Sequence, residues 1–277
     1  MTNHTHEDHA EERFSVWFFA IVIVSSLALL CLSVAFLAPN ILRNELHAGW
    51  KSFVIIFLFV HLAMSFVEFF FHRYVLHAPV VPFLAHFYKQ HTLHHNLTRV
   101  ALPRTSNIVT NEYPILVEEQ HEASFFPWYS LLVFAGITTP FFVLVHYLVP
   151  SAPIFMAGYL AIAWSLVLYE LLHALEHKSV ESWKPLLEHP HLGGVWKVIY
   201  GFHLRHHADI RSNESISGFF GLPVPDFVFG TWVNPDTLYE HQTVVEKKEF
   251  ESPRPGFFIR WLDRYTEAAI QKRRSRA

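Results

Sequence analysis

Glu68-Phe-Phe-Phe-His72-Arg-Tyr-Val-Leu-His77 closes an apolar run, and His91-Thr-Leu-His94-His95 follows it after a short interval. The same order of features returns later in the chain. Glu170-Leu-Leu-His173-Ala-Leu-Glu-His177 closes a second apolar region, and His203-Leu-Arg-His206-His207 follows at a longer interval. Six of the 21 histidines fall between residues 72 and 95, and seven between 173 and 207. On an α-helix, residues at i, i+3 and i+4 share a face. His91, His94 and His95 are therefore expected to point one way, as are His203, His206 and His207, and His173 with His177. His72 and His77 do not fit, because five residues is about 140° of helical rotation. Either Pro79 disturbs the helix there, or the two imidazoles serve different metals. Ten imidazoles are too many for one ion. Five each suit two borderline metals, and neutral imidazole suits iron, zinc, copper or nickel.

Working outward, the apolar runs are long. A membrane-spanning helix needs about 20 mainly apolar residues. Val16 to Ala38 has no charge. Ser52 to Phe71 holds only His61 and Glu68, Phe125 to Val149 holds Pro127, Pro140 and His146, and Ser151 to Leu172 is uncharged until Glu170. The expected fold is all-α: an integral membrane bundle of four transmembrane helices in two hairpins, with a cytoplasmic histidine-rich helical cap. The expected divisions are a polar tail 1–15, a first hairpin 16–71, a first histidine-rich segment 72–124, a second hairpin 125–172, a second histidine-rich segment 173–250 and a basic amphipathic C-terminal helix 251–277. The first run follows an acidic stretch and is too long for a cleaved signal, so it reads as a retained helix. Arg43 and Lys51 lie in the loop of the first hairpin. The remaining basic residues, Arg73, Lys89, Arg99 and Arg104 among them, lie on the other side, which the positive-inside rule makes cytoplasmic.

Composition agrees. Of 277 residues, 52% are hydrophobic and 16% charged, against about a quarter charged in an ordinary soluble domain. The net charge of −3 leaves no footprint for nucleic acid. A single cysteine, Cys31, excludes a disulfide framework, a cysteine-rich zinc site and a CxxC pair. There is no GxSxG for a serine hydrolase, no GxGxxG and no iron–sulfur cysteine set.

From about Ser52 to Thr231 the chain resembles the fatty acid hydroxylase / sterol desaturase superfamily. The resemblance rests on Glu68 with His72-Arg-Tyr-Val-Leu-His77, His91-Thr-Leu-His94-His95, His173 with His177, His203-Leu-Arg-His206-His207 and the closing Asp226-Phe-Val-Phe-Gly-Thr231. It implies a membrane-embedded non-haem di-iron centre that uses O2 and two electrons to hydroxylate or desaturate an unactivated C–H of a lipid. By position, all ten motif histidines, His72, His77, His91, His94, His95, His173, His177, His203, His206 and His207, match metal ligands. The two irons can be replaced by zinc in a recombinant sample. The chain departs from the family in the long interval from His177 to His203 and in the polar segment Val100 to Ser124.

The resemblance implies a fatty acyl or sterol-like lipid as substrate, and the position of the ligands at the helix ends puts an apolar slot for it at the membrane boundary. It also implies electrons from a separate donor, a ferredoxin, cytochrome b5 or reductase. A bacterial cell membrane fits better than the endoplasmic reticulum. Metal-bound imidazoles usually give their second N–H to a carboxylate or carbonyl, so Glu68 and Glu170 are expected beside the ligands, with Asp209 and Glu176 weaker candidates. His86, His189 and His191 read as structural or supporting. His61 and His146 bond between helices or line the slot. His4, His6 and His9 form a solvated tail. Phe258, Trp261, Leu262 and Tyr265, flanked by arginines, form a helix that lies on an anionic membrane surface or docks on the cap. The rival outcomes are a desaturase or a carotenoid or ether-lipid oxidase, and, from another class, a metal transporter. A transporter places ionisable residues along a mid-membrane path, whereas here they gather at one end.

Overall fold

The computed structural model describes residues 16–102, 110–238 and 245–275. The polar tail 1–15 with its three histidines, Arg104, His241 and Arg276 lie outside the described residues. Among the described residues the architecture is mostly helical, with one two-residue antiparallel pair, β1 (Val100–Ala101) and β2 (Thr110–Asn111). The helices are α1 (Val16–Leu37), α2 (Pro39–His47), α3 (Gly49–Phe71), α4 (Ala85–Leu97), α5 (Glu118–Ser124), α6 (Ser130–Leu148), α7 (Ile154–Glu176), α8 (Val180–Leu187), α9 (Gly193–Ala208), α10 (Val224–Phe229) and α11 (Phe257–Arg274).

Four of these are long and apolar enough to cross a membrane: α1, α3 with the turn that extends it to Leu76, α6 and α7. Their outer faces carry bare apolar side chains such as Phe36, Ile55 and Phe141, which suit a hydrocarbon solvent. The chain reads as an integral membrane protein. In α7, 61% of the apolar window is buried, against 17–28% in the others, so α7 is the central column. It packs most closely on α3 and then on α6. α1 is held chiefly by α2 and α7. The shared core joins Ile162 and Leu166 to Met64 of α3 and Leu131 of α6. Gly158 lets α6 approach closely, since a Cβ there would meet the Phe142 ring at 2.6 Å.

The loop between the first two runs is itself largely helical. Pro39 sits in the first turn of α2, where its missing N–H costs nothing. α2 delivers Glu45, whose carboxylate is buried and accepts the N–H groups of Phe155 and Met156 at 2.9 and 2.8 Å. Those donors belong to the first turn of α7 and have no partner within the helix, and an anion there also meets the positive end of the helix dipole. His61 links α3 to α7 through Ser165 Oγ at 2.8 Å, and its Nε2 accepts the N–H of Phe220 at 3.2 Å. The 215–223 segment is thereby tied to the bundle.

Candidate metal centre

α3 ends by changing winding. His72–Leu76 forms a π-turn in which His77 N–H donates to the carbonyl of His72 at 3.0 Å. The i→i+5 bond brings together side chains that α-helical winding would hold about 140° apart. The two imidazoles stack at 5.0 Å with 22° between planes. Tertiary contacts stabilise the turn. Arg73 Nε and Nη2 donate to the two carboxylate oxygens of Asp263 at 2.9 and 2.8 Å, and Nη1 donates to Glu214 at 2.7 Å. Tyr74 donates to Asp263 at 2.9 Å. Asp263 lies in α11, so that helix docks on the histidine-bearing end with Ile259 buried, while Phe257 and Tyr265 remain exposed.

The ten motif histidines form two groups of five whose ligand atoms lie within 4.8 Å of one another, and each group could hold a metal ion. One group is His72, His77, His91, His95 and His206. The other is His94, His173, His177, His203 and His207. The sequence reading points each HxxHH triplet one way. The structure instead divides each triplet. His91 and His95 enter one group and His94 the other; His203 and His207 enter one and His206 the other. Positions i+3 and i+4 are about 100° apart on a helix, wide enough to reach two adjacent centres. Each half of the chain supplies four histidines to its own group and one to its neighbour's. The groups abut where the rings of His95 and His207 stack at 4.1 Å.

The donor chemistry fits a cation in each group. Nε2 atoms face one another at 3.0–3.2 Å: His72 to His91, His77 to His206, His94 to His177 and His203 to His207, for example. Two nitrogens at 90° on an ion with bonds of about 2.1 Å lie about 3.0 Å apart. Several Nδ1 atoms face carbonyls: His72 to Glu214 at 2.5 Å, His177 to Tyr113 at 2.7 Å, His206 to Ser212 at 2.8 Å and His207 to Thr98 at 3.0 Å. A carbonyl only accepts, so these rings carry their proton on Nδ1 and turn an Nε2 lone pair inward. Burial and the neighbouring imidazoles push His77, His91, His94, His203 and His207 well below the usual histidine range, and burial takes His177 down to about 3. The rings are neutral, as ligands must be.

The carboxylates expected beside the ligands have other partners. Glu68 accepts from Ser217 N–H at 2.8 Å, Ser217 Oγ at 2.5 Å and Gly218 N–H at 3.2 Å. Glu170 accepts from Phe126 N–H at 2.9 Å. Backbone carbonyls take the Nδ1 protons of His72, His177, His206 and His207, while His94 Nδ1 faces Ser124 Oγ and, among the described residues, Glu170 Oε2 and the Nδ1 atoms of His173 and His203 have no hydrogen-bond partner. Asp209 accepts from Ser252 at 2.9 Å. His86 is exposed, and His189 Nδ1 accepts the N–H groups of His191 and Leu192, steadying the entry to α9.

What sequence reasoning missed is the segment 211–218 that closes over His72. Asp226, fully buried, accepts from the N–H groups of Glu214 and Ser215 at 2.9 Å each, from Thr231 Oγ1 at 2.7 Å and from Ser215 Oγ. Gly230, at φ 72°, ends α10 so that Thr231 can turn back. The Asp226 to Thr231 element is thus a clamp on the chain that presents Glu214 to both His72 and Arg73. The available signal was Arg73 itself, a guanidinium between two histidines that needs an acid. Asp226→Ala strands four donors. It is expected to lower stability by about 3 kcal/mol or more, read by thermal unfolding of the detergent-solubilised protein, with Asp226→Asn milder.

Comparison with protein-family models, with curated proteins and with solved structures gives no match.

Proposed function

We propose that this chain is a membrane-bound di-iron oxygenase that hydroxylates an unactivated C–H of a lipid, with O2 as oxidant and two electrons from a separate donor protein. The observation that carries the reading is the pair of five-imidazole groups, Nε2 atoms inward, at the end of the apolar bundle. Bound iron would supply dioxygen activation and hydrogen abstraction there. The ten histidines would hold it.

The chain's own residues do the rest. A narrow apolar slot between α3, α6 and α7 leads to His72. Met64, Phe71, Phe134 and Leu166 line its walls, together with Glu68, Tyr169 and Ser217. The walls receive a hydrocarbon segment and keep water out. Glu68 fixes Ser217 and Gly218, and so the wall beside His72, in place. The hairpin arrangement, the cytoplasmic placement of the histidines and a bacterial cell membrane belong to the same proposal, and the basic residues outside the apolar runs support the cytoplasmic placement.

The test is metal analysis of the purified full chain followed by turnover with a reductant under oxygen-18-labelled O2. Two ions per chain and a lipid product carrying one labelled oxygen are expected. A product lacking two hydrogens would make it a desaturase. Unchanged lipids, with metal uptake lost in cells lacking the gene, would replace the enzyme by a transporter.

A further inference from the structure

A second cavity lies across the 215–217 stretch from the slot: Ser217 lines the slot, and Ser215 and Ile216 line the cavity. Its volume is about 440 Å³, the size of a small-molecule site. We infer that it binds an apolar lipid ending in a hydroxyl, with Glu176 as the hydrogen-bond partner of that hydroxyl. The inference goes beyond the di-iron reading and does not depend on it.

Three observations carry it. The first is an unpartnered polar atom. Glu176 lines the cavity, is 2% exposed, and its Oε2 has no hydrogen-bond partner among the described residues. A buried acceptor left unpaired is costly, and a ligand donor relieves that cost. Among the described residues the one hydroxyl on the wall, that of Ser215, is already given to Asp226.

The second is the shape. Leu168, Leu172 and Glu176 line the cavity at i, i+4 and i+8 of α7. That face spans about 12 Å along the helix axis. The carboxyl sits at its end, where α7 leaves its apolar stretch, and the leucines run back toward the middle of the span. A chain with one polar end and a long apolar tail matches that polarity. Val195, Leu222 and Phe227 are on the wall and more than half exposed, so the cavity opens on an apolar surface.

The third is charge. Among the described residues no lysine, arginine or histidine lines the cavity. A carboxylate or phosphate head would find no cation and would meet Glu176 in a poorly solvated place. A buried ammonium would bring its own desolvation cost. A neutral hydroxyl needs only the acceptor present.

The experiment uses the full chain in phosphatidylcholine nanodiscs and 1-octadecanol bearing a photoreactive diazirine on its tail. Saturable labelling of α7 and α9 peptides is expected, displaced by unlabelled 1-octadecanol but not by octadecane or octadecanoate. Glu176→Leu is expected to weaken binding about tenfold, the scale of one lost buried hydrogen bond, while Glu176→Gln, which can still accept, binds nearly as the parent does. Val198→Trp, which fills the cavity from α9, is expected to abolish labelling should Glu176→Leu not fold. Label confined to α3 and α6, non-saturable label, displacement by octadecanoate, or affinity unchanged in Glu176→Leu would overturn the inference. Metal content of the same samples separates the two readings: two ions without label sinks this site alone, and label without ions sinks the oxygenase alone.

Discussion

His94→Ala and His206→Ala are expected each to remove the ion that belongs to the opposite half of the chain. His94 lies between His91 and His95, yet its Nε2 faces His173 at 3.2 Å and His177 at 3.1 Å. His206 lies between His203 and His207, yet its Nε2 faces His77 at 3.0 Å. In His94→Ala the group of His173, His177, His203 and His207 drops to four donors and gains a hole where a fully buried ring stood. In His206→Ala the same happens to His72, His77, His91 and His95. Losing a group beside a metal ligand costs about 10–100-fold in affinity, and losing the ligand costs more. Each variant should therefore purify with one ion where the parent is expected to carry two, and turnover that needs both should vanish. The pairs decide the matter. His94→Ala with His177→Ala damages one group and leaves one ion. His94→Ala with His91→Ala damages both and leaves none. If His94→Ala with His91→Ala still retains one ion, the division of each triplet between two groups is wrong.

The four apolar runs were legible because span length and hydropathy are local properties of the chain. The two HxxHH triplets and His173 with His177 were legible as convergent because their spacing is helical. The division of each triplet was not, because i, i+3 and i+4 only say that three residues share a broad face. Which of two neighbouring centres each reaches depends on how α4 and α9 are set against the ends of α3 and α7. The π-turn at His72 was open for a related reason. Spacing shows that His72 and His77 cannot share an α-helical face, and Pro79 offered one source of disturbance. The turn is held by Asp263, almost two hundred residues away, and by Glu214. That carbonyls, and not Glu68 or Glu170, face four of the Nδ1 atoms was not legible because a carbonyl has no signature in sequence. Every residue has one, and Glu214, Ser212, Tyr113 and Thr98 meet the imidazoles through theirs. The helix α2 was read as a loop because its polar residues mask a short amphipathic turn that only Glu45, reaching the first turn of α7, explains.

Acid is expected to empty the centre and then unfold it, and the sign follows from two opposed sets of buried groups. An unfolded histidine titrates near 6.5. Burial takes His177 to about 3 and holds His77, His91, His94, His95, His203, His206 and His207 well below the ordinary value. The folded chain thus binds fewer protons than the unfolded one between those limits, so stability rises with pH there. The contribution is complete above about 6.5 and is lost as pH falls toward 3. Each such group removes about 1.4 kcal/mol per pH unit. Glu45, Glu214 and Asp226 act the other way. Burial raises all three, Glu214 well above its ordinary value even with Arg73 pulling it down, so their contribution grows as pH falls. Three carboxyls do not offset eight imidazoles, and the net slope favours neutral pH. Bound cations would sharpen the effect, since each proton that reaches a ligand displaces a metal bond. Metal retention is expected to be flat above about pH 6.5 and to fall below it, with more than one proton taken up for each ion lost. The metal-free chain should lose its thermal transition at a higher pH than the loaded one. Both are read by metal analysis and thermal unfolding of the same detergent-solubilised samples from pH 8 down to 4.5. A transition temperature that is constant or rises on acidification would mean that the ten imidazoles are not held neutral in the fold, and with that the two-group centre would lose its chemical basis.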